Sequence, residues 1–319
     1  MRVALLDDYQ DAALGLADWA SLPAGSEVIS FRDHLSDEAA IAERLKDFEV
    51  VVGMRERTPF PRTLLERLPN LKLLITTGGR NASFDVAAAN ERGVTVCGTG
   101  GLGTPTAELT WGLLLALARQ IPHEDRAIRE GRWQTTLGSS MDRATLGLVG
   151  LGNLGRQVAA VGRTFGMEIV AWSPNLTEER ATEGGAKLVT KDELFQRSDY
   201  VSVHMALGDS TRGLVGEREI GLMKPTAYLV NTSRGPIVDE RALTKALAAK
   251  QIAGAAVDVF DVEPLPRDHP FLALDNLILT PHIGYVSRES YTVFYRHVLE
   301  DIQAFLDGNP VRVVQPAAH

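Results

Sequence analysis

The chain is predicted to be an α/β protein of parallel, doubly wound layers, and three observations predict this. Short apolar runs of strand character alternate with stretches whose apolar residues recur at helical spacing, the signature of a parallel layer. One such run, 145–149, passes straight into glycines at 150, 152 and 155, the spacing of a dinucleotide pyrophosphate loop. The length of 319 residues exceeds the usual single-domain size, so two cores are expected.

Taken in order, the first hundred residues place strands at Val3 to Leu6, Val28 to Phe31, Val50 to Val52 and Leu73 to Ile75. Helices are expected over Asp37 to Leu45 and Arg62 to Leu68, the second with Pro61 in its first turn. This half has no phosphate-binding glycine loop. Residues 98–105, Gly-Thr-Gly-Gly-Leu-Gly-Thr-Pro, read as a linker and hinge, after which Thr104 as cap and Pro105 as first residue open a helix. That helix, Thr106 to Gln120, carries Leu109, Trp111, Leu113, Leu114, Leu115 and Leu117 on more than one face and must be buried broadly. Strand 145–149, a helix from Asn153 and Leu154 to Phe165, and strand Glu168 to Trp172 complete a βαβ unit. In it Gly150 allows the tight turn, Gly152 lets backbone approach phosphate, and Gly155 lets helix pack on strand, with the helix start aimed at the anion. The pattern continues through Tyr200 to Val203, Ala227 to Val230, Ala253 to Val257 and Leu277 to Leu279, giving six strands of a Rossmann sheet. His282-Ile283-Gly284 is a second expected hinge, before one long helix from Arg288 to Leu306. The expected domains are 1–101 with 286–319, and a dinucleotide-binding domain over 102–285.

A formal net charge of −8 without a basic run argues against nucleic acid or an anionic membrane as partner. Leu113 to Leu117, the most apolar segment, is too short to span a bilayer, and Met1 to Asp8 reads as a strand ending in acidic residues rather than a signal sequence. A cytoplasmic protein is expected. The lone cysteine, Cys97, excludes an intrachain disulfide and offers no metal cluster, so no metal is expected.

In doubly wound sheets ligands sit beyond the carboxyl ends of the strands, which gives weight to three segments: Asn231 to Gly235, Asp258 to Pro264 and Thr280 to Gly284. Together they hold an arginine, a glutamate and a histidine, the set that hydride transfer to a carbonyl uses. A histidine near neutral pKa, His282, donates the proton to the developing alkoxide or takes it in reverse. Glu263 beside it fixes the tautomer and favours the charged form. Arg234 offers a forked cation matched to a substrate carboxylate, although a turn arginine also pairs readily with an acid such as Asp239. Among the other histidines, His204 follows a strand, a place near the cofactor, where packing behind the site is the favoured reading over direct contact.

These motifs resemble the D-isomer-specific 2-hydroxyacid dehydrogenase family over nearly the whole chain, with the glycine loop, Asn231 to Glu240, Asp258-Val-Phe with Glu263-Pro264, and Thr280 to Gly284 in the family's order. The resemblance implies Arg234 as substrate-binding arginine, Glu263 as partner carboxylate and His282 as acid/base catalyst. It also implies that Asp258 and backbone near Thr232 touch the nicotinamide carboxamide, with Gly284 and His204 close by. Residues 1 to about 100 with the C-terminal helix then form a smaller, flavodoxin-like substrate domain, where the amides of Gly79 and Arg80 bind the substrate carboxylate. The implied chemistry joins a 2-keto acid to a D-2-hydroxy acid through NAD or NADP.

Some positions depart from the family's commoner pattern. Ser173 stands where an acidic residue often holds the adenosine ribose, so nothing repels a 2′-phosphate there, and Asn175, Thr177 and Arg180 are able to bind one. NADP acceptance is therefore expected. Arg80 stands where a glycine is frequent, and with Arg55 and Arg57 hints at a polar or acidic substrate. Ala206 replaces a proline usual after the His204 strand. In the family the 106–121 region forms a twofold interface, so a homodimer is expected. The alternative is a nucleotide-sensing corepressor on the same fold; formate oxidation is disfavoured because such relatives carry glutamine where Glu263 stands.

Overall fold

The computed structural model describes residues 1–316 and divides into two compact units, Met1–Leu102 with the chain from Ser287 onward, and Gly103–Val286. The first unit has five parallel strands, β1 (Arg2–Leu5), β2 (Glu27–Ser30), β3 (Val50–Gly53), β4 (Leu73–Thr76) and β5 (Thr95–Gly98), in the flavodoxin-like order β2-β1-β3-β4-β5. Helices α1 (Glu38–Leu45), α2 (Arg62–Leu65) and α3 (Val86–Glu91) connect them. Strands β3 and β4 are buried along their whole length, as parallel strands covered on both faces must be.

Strand β5 was not anticipated. Its sequence Thr-Val-Cys-Gly is too short to show an apolar run, and it exists because it pairs with β4 from Leu73↔Thr95 to Thr76↔Gly98. The expected linker at 98–105 thus begins inside a strand. Pro61 caps α2 in an extended conformation rather than entering it, and the helix stops at Leu65 instead of Leu68.

In the second unit helix α4 (Thr104–Ala118) starts from an uncapped Gly103, so Thr104 is its first residue and not its cap. Trp111, Leu113, Leu114 and Leu117 are buried in this unit's own core, leaving a narrow exposed stripe at Thr104, Glu108 and Gly112. Exposed apolar side chains follow it in the chain: Ile121 and Ile128 on α5 (Ile121–Arg129), then Trp133 and Leu137, which are 74% and 98% exposed.

The second sheet comprises β6 (Thr145–Val149), β7 (Glu168–Trp172), β8 (Lys187–Leu188), β9 (Tyr200–Val203), β10 (Tyr228–Asn231), β11 (Gly254–Val257) and β12 (Leu277–Leu279). All are parallel, in the order β12-β11-β10-β9-β6-β7-β8, with the chain reversing direction between β6 and β9, where such folds bind nucleotides. There are seven strands rather than the expected six, because two-residue β8 is too short to leave a periodic signal. The intervening helices are α6 (Asn153–Thr164), α7 (Glu178–Glu183), α8 (Lys191–Arg197), α9 (Glu217–Leu222) and α10 (Glu240–Ala248). Back in the first unit, α11 (Arg288–Leu306) is capped by Ser287 and buries Tyr291, Phe294, Tyr295, Val298 and Ile302. Among the described residues no helix is long and apolar enough to cross a membrane.

Candidate active site

The glycine loop leaves β6 through Gly150, whose φ of +102° L side chains rarely adopt; a Cβ there would stand 2.5 Å from the His204 carbonyl. A Cβ on Gly155 would stand 2.3 Å from the Gly150 carbonyl, so the start of α6 lies directly on the turn. At Gly152 nothing comes within 4 Å of a Cβ position, and no side chain caps α6. The bare first turn at Asn153 and Leu154 therefore offers its amides and positive dipole end to an anion. His204 adds a polar atom that a ligand would satisfy. Its Nε2 lies 2.9 Å from Ser202 Oγ, its Nδ1 is buried with no partner among the described residues, and burial pushes the imidazole down to about 4. This cradle fits a dinucleotide.

At the end of β7, Ser173 and Asn175 begin the loop into α7. Arg180 Nη1 reaches back to the Asn175 carbonyl at 3.4 Å, while Thr177 caps α7 by accepting the Arg180 amide. Two acids, Glu178 and Glu179, share that first turn.

Beyond β10, β11 and β12 three segments converge. His282 Nδ1 lies 2.6 Å from Glu263 Oε2, while Glu263 Oε1 accepts the Phe260 amide at 2.9 Å. Burial pushes the Glu263 carboxyl up, but its bond to His282, the charge of His282, the Phe260 amide and the Arg234 cation outweigh this and hold it below the usual range. Arg234 thus shares the field of the pair; its Nη1 also donates to the Ser233 carbonyl at 2.8 Å. Asp239 is occupied differently, accepting the Arg241 and Ala242 amides as the cap of α10.

His282 itself takes a left-handed φ of 54°, unusual for a side chain with a Cβ. Asp258, fully buried, imposes it: Oδ1 accepts the Thr280 hydroxyl and Ile283 amide, and Oδ2 the Gly284 amide, at 2.6–2.8 Å. The supposed hinge at 282–284 is accordingly clamped to β11, and the boundary between the units falls after Val286. Gly284 has a packing duty as well, since its carbonyl accepts Thr106 Oγ1 and a Cβ would press on Thr106 and Asp258 at 3.2 Å. The Thr232 hydroxyl points at Thr110 Oγ1, 2.8 Å away.

In the first unit Gly79 and Arg80 form the exposed loop after β4, and neither amide finds an acceptor among the described residues. The loop is framed from β3. Arg55 Nη1 lies across Gly78 and bonds the Thr77 carbonyl at 3.2 Å, and Asn81 Nδ2 donates to the Arg55 carbonyl and Thr76 Oγ1. Arg57 is turned onto the Asp7 carbonyl and the Tyr9 ring. Ala206 is exposed, its carbonyl accepting Thr211 Oγ1.

Sequence reasoning missed the bond from the Thr280 hydroxyl to Asp258, and it missed Tyr285, which packs edge-on to the His282 ring at 5.5 Å. The threonine precedes Pro281-His282 and was read only as part of a motif; nothing in the sequence marks the tyrosine.

Fold and cradle define a dinucleotide-binding α/β protein, and the relatives that follow make it an NAD(P)-dependent oxidoreductase acting on the CH–OH group of its donor. A family model described as D-isomer specific 2-hydroxyacid dehydrogenase, NAD binding domain, matches residues 111–284. A glyoxylate reductase of Korarchaeum cryptofilum is 38% identical over 275 residues, covering 84% of this chain and 82% of the relative. A D-3-phosphoglycerate dehydrogenase of Methanocaldococcus jannaschii is also 38% identical, over 272 residues, but this chain, 84% covered, spans only 52% of it. A solved phosphoglycerate oxidoreductase from Vibrio cholerae superposes with a TM-score of 0.92 at 39% identity, covering 97% of this chain and 99% of that one. The chain belongs to the D-isomer specific 2-hydroxyacid dehydrogenase family.

Proposed function

We propose that this enzyme interconverts a small 2-keto acid and its D-2-hydroxy acid, with glyoxylate and hydroxypyruvate the keto acids to test first. The reading is supported by relatives named glyoxylate reductase and carried by one observation, the 2.6 Å Glu263–His282 bond. With Nδ1 bound to the carboxylate, Nε2 is the nitrogen that exchanges a proton with the substrate oxygen. Glu263 keeps the ring oriented and steadies the charged imidazole. Arg234 takes the substrate carboxylate and polarises the keto oxygen, and the Gly79 and Arg80 amides serve as a further carboxylate anchor. When bound, the nicotinamide supplies or accepts the hydride. Gly150, Gly152, Asn153, Leu154 and Gly155 would hold its pyrophosphate; backbone at Thr232 and Gly284, with Asp258 behind that turn, would hold the nicotinamide end, and His204 backs the loop.

NADP is accepted as well as NAD, because Ser173 and Asn175 carry no charge and Arg180 stands over the same loop. The molecule works in the cytoplasm as a homodimer, joined through the 106–121 region and the exposed Ile121, Ile128, Trp133 and Leu137 that follow it. The assay is absorbance with NADH or NADPH and a panel of glyoxylate, hydroxypyruvate, pyruvate and phenylpyruvate. His282→Ala is expected to abolish turnover while cofactor still binds; turnover at the wild-type rate would refute the assignment.

A further inference from the structure

Glu263 sits on an irregular loop, 258–263, so something must hold that loop for the carboxylate to meet His282. Part of the support is steric: a Cβ on Gly235 would come within 2.2 Å of the Phe260 carbonyl and 2.6 Å of the Asp261 nitrogen, so the backbone after Arg234 lies flat against that peptide. The polar part comes from Glu240. Its Oε1 accepts the Asp261 amide at 2.8 Å, and its Oε2 lies 3.1 Å from His269 Nε2. His269 Nδ1 accepts the Phe271 amide, so the ring proton sits on Nε2 and is donated to Glu240. The ring packs edge-on against Phe271, a core residue, 4.8 Å away. Both partners are largely buried, at 17% and 15% exposed.

Glu240 opens α10, where an acid is often found merely to suit the helix dipole. Here that duty is already filled, because Asp239 accepts the first-turn amides. Both oxygens of Glu240 turn instead to the loop and to His269. We propose that Glu240 and His269 are a positioning pair that sets Glu263 on His282 and thereby governs the proton step. The proposal rests on His282 as the acid/base. The other charged groups near this loop are Asp261, Asp239 and Arg212; burial followed by the charge of Glu240 pushes the Asp261 carboxyl up, in keeping with a close-packed acidic loop.

The test compares Glu240→Ala, Glu240→Gln, His269→Leu and His269→Gln with His282→Ala in the full-length enzyme, using glyoxylate or hydroxypyruvate with the better nicotinamide. Turnover is scaled to folded protein and measured with KM, cofactor Kd by nicotinamide fluorescence and the pH profile of kcat/KM. Glu240→Ala and His269→Leu are expected to lower kcat by about tenfold or more with cofactor Kd within about twofold. The midpoint of kcat/KM for reduction moves toward lower pH, because a displaced Glu263 no longer favours the protonated ring. His269→Gln, which keeps an N–H near the Nε2 position, restores most of the rate. Should Glu240→Ala fail to fold, Glu240→Gln decides, since it keeps the acceptor for Asp261 but opposes a donor to His269. Unchanged kcat per folded molecule and an unchanged pH profile, with His282→Ala inactive, overturn the pair alone. An active His282→Ala overturns the underlying reading instead.

Discussion

His282 shows how a single residue is made ready by its neighbours. A left-handed backbone costs a non-glycine residue about 1–2 kcal/mol, and the three hydrogen bonds of Asp258, each worth about 1.5–3 kcal/mol when charged, more than offset it. The guanidinium requirement at 234 is equally specific, so Arg234→Lys, which keeps the charge but loses the fork, is expected to raise KM for the keto acid by about tenfold or more with cofactor Kd unchanged. Steady-state kinetics check this. Asp301, fully buried on α11, is a different case. Burial pushes its carboxyl up to about 7 against the opposing Arg312 charge; Oδ1 accepts Arg312 Nε at 2.9 Å and Oδ2 has no partner among the described residues. The folded value lies above the ordinary 3.8, so the stability this group contributes is complete below that value and is lost as pH rises through about 7. Asp301→Asn retains the acceptor and removes the titration. Its thermal midpoint between about pH 5 and pH 8 is expected to fall less than that of the wild type; parallel curves would exclude Asp301 as the source.

At the scale of elements, the turn 280–284 depends on β11 through one carboxylate. In Asp258→Asn an amide must face either Gly284 N–H or the donors on the other side, so two donors oppose each other in a buried place. The expected cost is about 2–4 kcal/mol of stability, read by urea denaturation, with kcat lowered further than folding accounts for because His282 loses its backbone geometry. Full stability and activity would mean that the turn holds without its clamp. The motif was legible: Thr280, Pro281, His282 and Gly284 announced a functional strand end. What could not be read was that the same segment is rigid, since a histidine before Ile-Gly resembles a flexible joint until the Asp258 oxygens are seen to take both amides. The same reason hid β5 and β8, whose pairing with β4 and β7 decides their conformation more than their own residues do.

For the molecule as a whole, each unit has its own parallel sheet: the second carries the glycine cradle and the Arg234–Glu263–His282 group, and the first the loop of Gly79 and Arg80. Loss of the guanidinium in Arg180→Ala is expected to raise KM for NADPH by about tenfold and leave NADH unaffected, as parallel kinetics with the two cofactors will show; equal effects would remove the 2′-phosphate reading. Ile121, Ile128, Trp133 and Leu137 expose apolar side chains to solvent, the kind of surface that association covers. Trp133→Asp with Leu137→Asp is expected to convert a dimer to monomers in light scattering, and a wild-type monomer at micromolar concentration would dismiss the association outright.

By itself the sequence determined the alternating parallel architecture and the glycine cradle, and it singled out the arginine, glutamate and histidine proposed as the reacting group, because these follow from local periodicity and from residue types at strand ends. The tertiary structure alone decided that α4 buries its apolar side chains in its own unit, that His282 bonds Glu263 through Nδ1, and that Asp258 clamps the turn between them. Those outcomes come from contacts between residues 19 to 26 positions apart or more, where hydrogen-bond geometry and close packing, rather than any local pattern, select the conformation.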